Sequence, residues 1–115
     1  MDKKHSLDTL TALSHETRLD AFRLLVRLAP EGLPAGEIAR RLGVVQNTMS
    51  AHLAVLARAG LVGADRRGRV VNYTADFAQM RELLSFLMRD CCQGAPEVCG
   101  PLLDLANCDQ DARER

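Results

Sequence analysis

Four cysteines lie in the last quarter of this 115-residue sequence: Cys91, Cys92, Cys99 and Cys108. Thiolates bind metal ions and take part in redox reactions. Because none of the four lies earlier in the chain, they cannot form a disulfide framework that staples a whole domain. In a reducing compartment, clustered thiols favour metal binding or redox chemistry. The sequence therefore predicts a chemical site near the C-terminal end.

A second group of side chains suited to recognition lies in the segment 46–61. Met49, Leu53 and Leu56 recur at helical spacing and are expected to face a core. The polar residues around them are expected to point outward: Gln46, Asn47, Thr48, Ser50 and His52. Such side chains on the first two turns of a helix can read base edges in a DNA major groove. Any pair of short packed helices could show the same pattern.

The first thirty residues predict two helices that support this segment. An apolar stripe marks the first helix, at Leu7, Leu10 and Leu13. A second helix is expected to start at Ser14 or Thr17 and to run to about Leu28. Its apolar side chains are expected to face inward: Leu19, Phe22, Leu25 and Val26. Its arginines are expected to lie on a solvated face: Arg18, Arg23 and Arg27.

A third helix is predicted over residues 35–42, with Pro34 near its first turn and Gly43 at its end. The next helix begins at Gln46, so a tight glycine-containing turn joins two short helices. This is the arrangement of a helix-turn-helix. Four apolar side chains are expected to pack the two helices together: Ile38, Leu42, Val45 and Met49.

Two β-prone runs follow, over residues 61–66 and 70–75. They predict a hairpin with three arginines at its tip: Arg66, Arg67 and Arg69. A hairpin directly after a helix-turn-helix is the wing of a winged helix, and arginines on it can reach a phosphate or a narrow minor groove. Residues 34–75 hold six arginines against two acidic residues, a balance suited to phosphates. A charged solubilising turn is the alternative interpretation of the tip.

A last helix is predicted from an N-cap at Asp76 towards Asp90. It has a wide apolar stripe: Phe77, Met80, Leu83, Leu84, Leu87 and Met88. In so small a domain, the first and last helices have more apolar surface than the core can cover. We therefore expect a homodimer that forms through these two helices.

The predicted fold class is mainly α with a small β-hairpin, a winged helix-turn-helix that dimerises through its first and last helices. Hydrophobic residues make up 47% of the chain and aromatic residues only 3%, which is typical of packed helices rather than a sandwich or barrel. Two regions are expected. Residues 1–92 form the DNA-binding and dimerisation domain, and residues 93–115 form a C-terminal tail that contains cysteine.

Several classes of protein are disfavoured by the sequence. It has no apolar run of membrane-spanning length and no signal-peptide core, so a cytoplasmic protein without a membrane partner is expected. A small thiol enzyme is disfavoured because no C-x-x-C motif accompanies a βαβ pattern and no phosphate-binding loop is present. No organic cofactor is expected. A helical module that uses the winged helix only for protein contacts is disfavoured by the polar recognition positions and the arginine wing.

Three runs of the sequence resemble the ArsR family of bacterial metalloregulatory repressors: SHETRLDAFRLL, GEIARRLGVVQNTMSAHLAVLARAGLV and RRGRVVNYT. The resemblance covers roughly residues 7–87. It implies a homodimer that binds double-stranded operator DNA, represses a metal- or metalloid-resistance operon and releases the DNA when the toxic ion binds. The operator contacts that it implies are Gln46, Asn47, Thr48, Ser50 and His52 on the helix, with Arg66, Arg67 and Arg69 on the wing.

The positions of its cysteines and histidines, compared with the sensor sites of known family members, indicate the inducer of this chain. The best-known arsenic-sensing members carry cysteines in the helix before the recognition helix, whereas residues 35–39 contain none here. Zinc-sensing members use Asp, His and Glu ligands across the final helix, and the predicted final helix has no His. The segment 91–99 is similar to C-terminal thiolate sites of other arsenic-responsive members. The resemblance thus implies trivalent arsenic (arsenite) as the inducer, or antimonite, bound by Cys91, Cys92 and Cys99.

Trivalent arsenic binds three sulfurs in a pyramid. Cys91 and Cys92 at a helix end supply two, and the turn over residues 94–96 can return Cys99 as the third at little entropic cost. Cadmium, lead or zinc with sulfur ligands is an alternative, with Cys108 completing a tetrahedron. A redox switch is another, with Cys99 forming a disulfide to Cys91 or Cys92. Inert cysteines, the role of Cys108 and the choice between inorganic and methylated arsenicals stay open.

Overall fold

The computed structural model describes residues 2–92, with side chains described as far as Arg89. Within that range the chain forms five α-helices and three β-strands. The helices are α1 (Lys3–Leu13), α2 (Glu16–Arg27), α3 (Ala35–Leu42), α4 (Gln46–Arg58) and α5 (Phe77–Cys92). The strands are β1 (Leu33–Pro34), β2 (Val62–Arg67) and β3 (Val70–Ala75). This order of elements confirms the predicted winged helix-turn-helix.

The two N-terminal helices begin at side chains that accept hydrogen bonds from the first turn. The His5 N–H donates to Asp2 Oδ1 over 2.7 Å at the start of α1. At the start of α2, the Thr17 N–H donates to His15 Nδ1 over 3.1 Å. The predicted starts of α2, Ser14 or Thr17, are therefore replaced by His15, whose ring nitrogen acts as the capping acceptor.

The buried face of α1 is not its leucine stripe. Ser6, Thr9 and Ala12 are buried, whereas Leu7 and Leu10 expose 55% and 39% of their surface. The two buried hydroxyls are satisfied locally, because Ser6 Oγ donates to the Asp2 carbonyl and Thr9 Oγ1 to the His5 carbonyl, each over 2.9 Å. The small side chains let α1 lie close to the core, where Leu13 also packs, and leave Leu7 and Leu10 outside.

The helix-turn-helix formed by α3 and α4 supplies much of the core. Ile38, Met49, Leu53 and Leu56 are completely buried. Burying a side chain of this size contributes about 1.5–3 kcal/mol relative to leaving it exposed. Gly43 ends α3 in the left-handed conformation, with φ of 68°, as the turn prediction requires.

One predicted packing residue of this motif lies outside the core. Val45 exposes 71% of its surface, and Val44 packs against the core in its place. The reason is that Val45 is extended and only precedes the first residue of α4. It therefore falls outside the helical period that places Met49 inside.

The sheet has three strands in the order β1-β3-β2, all antiparallel, so the predicted hairpin gains a third strand. Leu33 pairs with Tyr73, and Pro34 pairs with Asn72. A strand of two residues is too short to show the alternation of apolar and polar side chains that predicts a strand. The sequence indicated only that Leu33 and Pro34 lead into α3. Gly32 permits this pairing, since a Cβ on it would lie 2.1 Å from the Tyr73 carbonyl oxygen.

Helix α5 starts at the predicted cap, where the Ala78 N–H donates to Asp76 Oδ1 over 3.0 Å. The compact units of the chain divide between Leu83 and Leu84, within this helix. In the first unit Leu83 is buried and Met80 packs against the core. In the second unit Leu84 and Leu87 expose 44% and 37% of their surface. The predicted boundary after residue 92 stays a prediction.

None of the helices between residues 2 and 92 combines the length and the apolar composition that a bilayer crossing requires.

Candidate nucleic-acid interface

The first two turns of α4 present polar side chains to solvent. Gln46, Asn47, Thr48 and Ser50 are all exposed, while Met49 between them is buried. Their orientation follows from the helical period, which assigns the core face to Met49, Leu53 and Leu56. The start of α4 has no side-chain cap. The end of α4 that the sequence predicted as base-reading is therefore accessible.

An open cleft of ≈ 460 Å³ lies between the start of α4 and the hairpin. Gln46 and Ser50 line it from α4, and Arg69 and Val70 line it from the hairpin. A Cβ on Gly36, which also lines the cleft, would lie 3.2 Å from Gln46 Oε1, so the side chain of Gln46 lies close over this glycine. The structure thus brings predicted contacts from the helix and from the wing to one cleft.

The wing is a hairpin with a two-residue loop. Arg67 pairs with Val70, and Gly68 takes the first loop position with φ of 66°, as the favoured two-residue turns require. Arg67 Nε donates to Asp65 Oδ2 over 3.0 Å, and Arg66 Nε donates to the Gly68 carbonyl over 3.4 Å. Both bonds are on the surface, where such contacts contribute little free energy. The arginines can therefore exchange them for DNA phosphates at small cost.

Helix α3 carries a further charged cluster on the edge of the same cleft. Glu37 forms ion pairs with Arg40 and Arg41. The hydrogen bond from Arg40, with a smaller contribution from Arg41, lowers the pKa of Glu37 to about 2. Glu37 therefore stays ionised and holds both guanidinium groups along α3.

His52, the fifth predicted contact on α4, is placed differently from the other four. Its ring is half-buried, with its centroid 4.4 Å from that of His15. Its Nδ1 lies 3.4 Å from a terminal nitrogen of Arg18. The structure directs this side chain towards the start of α2, so its ring is already engaged within the protein.

Arg18 is likewise not on a solvated face as predicted. Its Nε donates to the Ala12 carbonyl over 2.7 Å, and a second terminal nitrogen donates to the Thr11 carbonyl over 3.3 Å. Helical spacing placed Arg18 on the polar side of α2, but it could not show that carbonyls at the end of α1 accept hydrogen bonds from this side chain. Arg18 and His15 are thus contacts to α4 that the sequence reasoning missed.

The predicted metalloid ligands lie outside the described side chains. Cys91 and Cys92 belong to the backbone range of α5, and Cys99 and Cys108 follow residue 92. Among the described residues, no three His, Cys, Asp or Glu side chains are grouped so that they could hold a metal ion. The thiolate site stays a prediction from the sequence.

A helix-turn-helix with an exposed polar second helix, followed by an arginine-tipped hairpin, defines a winged helix-turn-helix DNA-binding protein. A family model described as a helix-turn-helix domain matches residues 13–62. The chain is 34% identical over 84 residues to the transcriptional activator HlyU of Vibrio cholerae. The matched stretch covers 73% of this chain and 75% of HlyU.

Solved structures agree with this assignment. An ArsR-like transcriptional regulator from Rhodococcus sp. RHA1 is 28% identical, with a TM-score of 0.62 over 95% of this chain and 93% of that one. A homodimeric winged helix-turn-helix DNA-binding domain from Mycobacterium bovis is 27% identical, with a TM-score of 0.62 over 76% of this chain and 80% of that one. The chain belongs to the ArsR family of winged helix-turn-helix transcriptional regulators, and is a DNA-binding regulator rather than an enzyme.

Proposed function

We propose that this protein is a homodimeric repressor of an arsenic-resistance operon that leaves its operator when trivalent arsenic binds Cys91, Cys92 and Cys99. The proposal has three parts, which are the DNA contact, the dimer and the inducer. Each part rests on different residues, so each is tested separately. Repression is itself part of the proposal, since the relative HlyU is named an activator.

The DNA contact rests on the cleft shared by α4 and the wing. Gln46 and Ser50 on one side and Arg69 on the other are exposed around it. In this proposal the first turns of α4 enter the major groove, and Gln46, Asn47, Thr48 and Ser50 read base edges. Arg66, Arg67 and Arg69 bind phosphates or the adjacent minor groove. This juxtaposition is the single observation that carries the proposal.

The dimer rests on apolar side chains that the described chain leaves exposed. Leu7 and Leu10 lie three residues apart on α1, and Leu84 and Leu87 lie three apart on α5. Residues at this spacing share one face of a helix. A symmetric dimer covers such faces and holds two recognition helices one DNA turn apart. The homodimeric M. bovis domain of the same fold supports this arrangement.

The inducer part rests on three thiols within residues 91–99, the first two at the end of α5. Soft thiolates select soft ions, and three of them match the pyramidal bonding of trivalent arsenic. Because α5 is one of the two proposed dimer helices, drawing Cys99 back onto its end would alter the dimer. A changed spacing of the recognition helices lowers operator affinity, and couplings of about 1–3 kcal/mol are typical for such switches.

Serine substitution tests the inducer site. The full-length protein is bound to DNA from its own upstream promoter region, and arsenite is titrated while fluorescence anisotropy reports the bound fraction. Cys91→Ser, Cys92→Ser and Cys99→Ser should each bind DNA as the wild type does. Each should need at least about tenfold more arsenite for release, which corresponds to about 1.4 kcal/mol. Cys108→Ser is the matched control and should release at the wild-type concentration.

Three results would contradict separate parts of the proposal. If all three single variants release DNA at the wild-type arsenite concentration, the proposed triad is wrong. Parallel titrations with antimonite, cadmium, zinc and peroxide identify the competing inducers. Release by peroxide alone would replace the metalloid site by a disulfide switch. A protein that shows no saturable binding to its promoter region would contradict the repressor itself.

A further inference from the structure

Three side chains join the recognition helix α4 to the two N-terminal helices, and we name them the histidine–arginine junction: His15, Arg18 and His52. The guanidinium of Arg18 covers the last carbonyls of α1, at Thr11 and Ala12, and reaches His52 on α4. His15, at the start of α2, packs its ring on that of His52. One cation therefore contacts α1 and α4 from its place on α2.

The contact between Arg18 and His52 is compatible only with a neutral His52 ring. A guanidinium only donates hydrogen bonds, so His52 Nδ1 must accept from Arg18 and the ring must be neutral. A backbone N–H also only donates, so His15 Nδ1 must accept from Thr17. An imidazolium has no acceptor nitrogen. A proton taken from solvent by His52 Nδ1 would end the bond that this nitrogen accepts from Arg18.

Electrostatics also oppose a charge on His52. Burial lowers its pKa, and the neighbouring His15 and Arg18 lower it further. These two are the titratable and charged groups that act on the ring from α2, while α1 contributes only carbonyls through Arg18. Each of these influences on the pKa of His52 lowers it, so all of them favour the neutral ring. The junction is therefore intact only when His52 is neutral.

We propose that the histidine–arginine junction positions the recognition helix for the operator, and that proton binding at His52 opens the junction and weakens operator binding. This inference rests on the proposed function, in which α4 enters the major groove. His52 is then a positioning residue that acts through Arg18, rather than a residue that reads a base. Because Arg18 also caps α1, the junction links a proposed dimer helix to the DNA-reading helix.

The sign of the pH effect separates the two roles of His52. A histidine that touches a DNA phosphate is protonated more readily in the complex, so operator affinity rises as pH falls. A positioning histidine that must stay neutral gives the opposite sign. The wild type should lose about threefold to tenfold in operator affinity between about pH 7.5 and pH 5.5 at constant ionic strength.

The chain offers matched variants for this measurement. His52→Asn keeps an acceptor oxygen close to the position of Nδ1, and His15→Asn keeps a good N-cap for α2. Relative to its own operator affinity at neutral pH, the double variant should lose the decrease at low pH. His5→Gln is the control, because it removes the one remaining histidine of the sequence. His5 Nε2 lies 2.7 Å from Gln79 Nε2, away from the junction residues. This variant should keep the wild-type dependence of operator affinity on pH.

Either of two outcomes would overturn the inference. One is a wild-type affinity that rises as pH falls and loses this rise in His52→Asn. The other is a decrease at low pH that persists unchanged in the double variant. In both cases the pH dependence would arise outside the junction, or His52 would contact the DNA directly.

A measurement on the DNA-free protein separates this inference from the proposed function. NMR titration of the His52 ring should give a midpoint below the ordinary value of about 6.5. Arg18→Met should raise that midpoint, because the substitution removes a nearby positive charge. A midpoint at or above 6.5 in the wild type would overturn the inference, whether or not the protein binds its promoter. A His52 midpoint below 6.5 in a protein that shows no promoter binding would contradict only the proposed function.

Discussion

Individual charged residues near the cleft between α4 and the hairpin form ion pairs with other residues of the protein. Glu37 holds Arg40 and Arg41, and Asp65 holds Arg67. These pairs lie on the surface, so they contribute little to stability. Their effect is to lower the positive charge that is free to meet phosphates. We therefore expect the acidic partners to moderate non-specific affinity for DNA.

Glu37→Gln should strengthen DNA binding at low salt, because it frees two guanidinium groups on α3. The first helix of a helix-turn-helix crosses the DNA backbone, so the freed arginines can reach phosphates. Affinity for unrelated DNA should rise by about threefold to tenfold, and the slope of log affinity against log salt should steepen by up to about one unit per new phosphate contact.

Glu82→Gln is the control for Glu37→Gln, since it removes the same charge from an exposed position on α5. It should leave the salt slope unchanged. An equal gain of affinity in both variants would mean that net charge, and not the release of Arg40 and Arg41, causes the effect.

The Glu37 ion pairs also give stability a dependence on pH. Arg40, and then Arg41, lower the pKa of Glu37 from 4.5 to about 2. The folded state therefore holds this carboxylate ionised where the unfolded state would protonate it. The contribution of the Glu37 ion pairs to the free energy of unfolding is complete above about pH 4.5, and it is lost as pH falls through about 2.

At the scale of elements, glycines set the geometry of the turns between helices and strands. Gly43 and Gly32 both have positive φ, but their surroundings differ. A Cβ on Gly43 would meet nothing within 4 Å, whereas one on Gly32 would lie 2.1 Å from the Tyr73 carbonyl oxygen. A Cβ on Gly63 in β2, where φ is not positive, would meet only Thr74 Oγ1 at 3.5 Å. An added Cβ would therefore cause backbone strain alone at Gly43, strain and steric overlap at Gly32, and neither at Gly63.

Alanine substitution at these three glycines should give graded losses in the free energy of unfolding. Gly63→Ala should change it by less than about 0.5 kcal/mol. Gly43→Ala should cost about 1–2 kcal/mol, since it only forces alanine into the left-handed region. Gly32→Ala should cost more than either, because β1 must also move away from β3.

Urea unfolding followed by circular dichroism measures the order of these three costs. Equal losses for Gly32→Ala and Gly43→Ala would show that the approach of β1 to β3 carries no extra constraint at Gly32.

At the scale of the whole molecule, the described chain leaves leucine side chains exposed on α1, α2 and α5. Leu10 on α1 and Leu19 on α2 expose nearly the same fraction, 39% and 40%. Only α1 and α5 are proposed to meet a second subunit. The two leucines therefore form a matched pair for testing the dimer.

Leu10→Glu should weaken the dimer by at least about a hundredfold, since it places a charge in an apolar interface. Sedimentation velocity should show monomers at concentrations where the wild type is dimeric. Operator affinity should fall with the dimer, because both recognition helices must bind together. Leu19→Glu should remain dimeric. Dissociation of Leu19→Glu, with Leu10→Glu still dimeric, would place the interface on α2 instead.

The sequence by itself determined the winged helix-turn-helix and which polar side chains at the start of α4 are exposed. Helical spacing of Met49, Leu53 and Leu56 places their polar neighbours outside, because periodicity is a local property of the chain. Turn glycines and the paired β-prone runs are equally local signals. They predicted the helix-turn-helix turn and the arginine-tipped hairpin to within one residue of the observed strands.

Only the tertiary structure decided where His52, Arg18, Val45 and β1 lie. The positions of His52, Arg18 and β1 depend on residues distant in the sequence. The exposure of Val45 depends on α4 beginning one residue later, at Gln46. His52 and Arg18 are thirty-four residues apart, and β1 pairs with a strand almost forty residues later. Periodicity assigns a side chain to a face of its own helix, but it cannot show what another helix brings against that face. For this reason the sequence predicted the second helix of the helix-turn-helix, while the structure showed which side chains join α4 to α1 and α2.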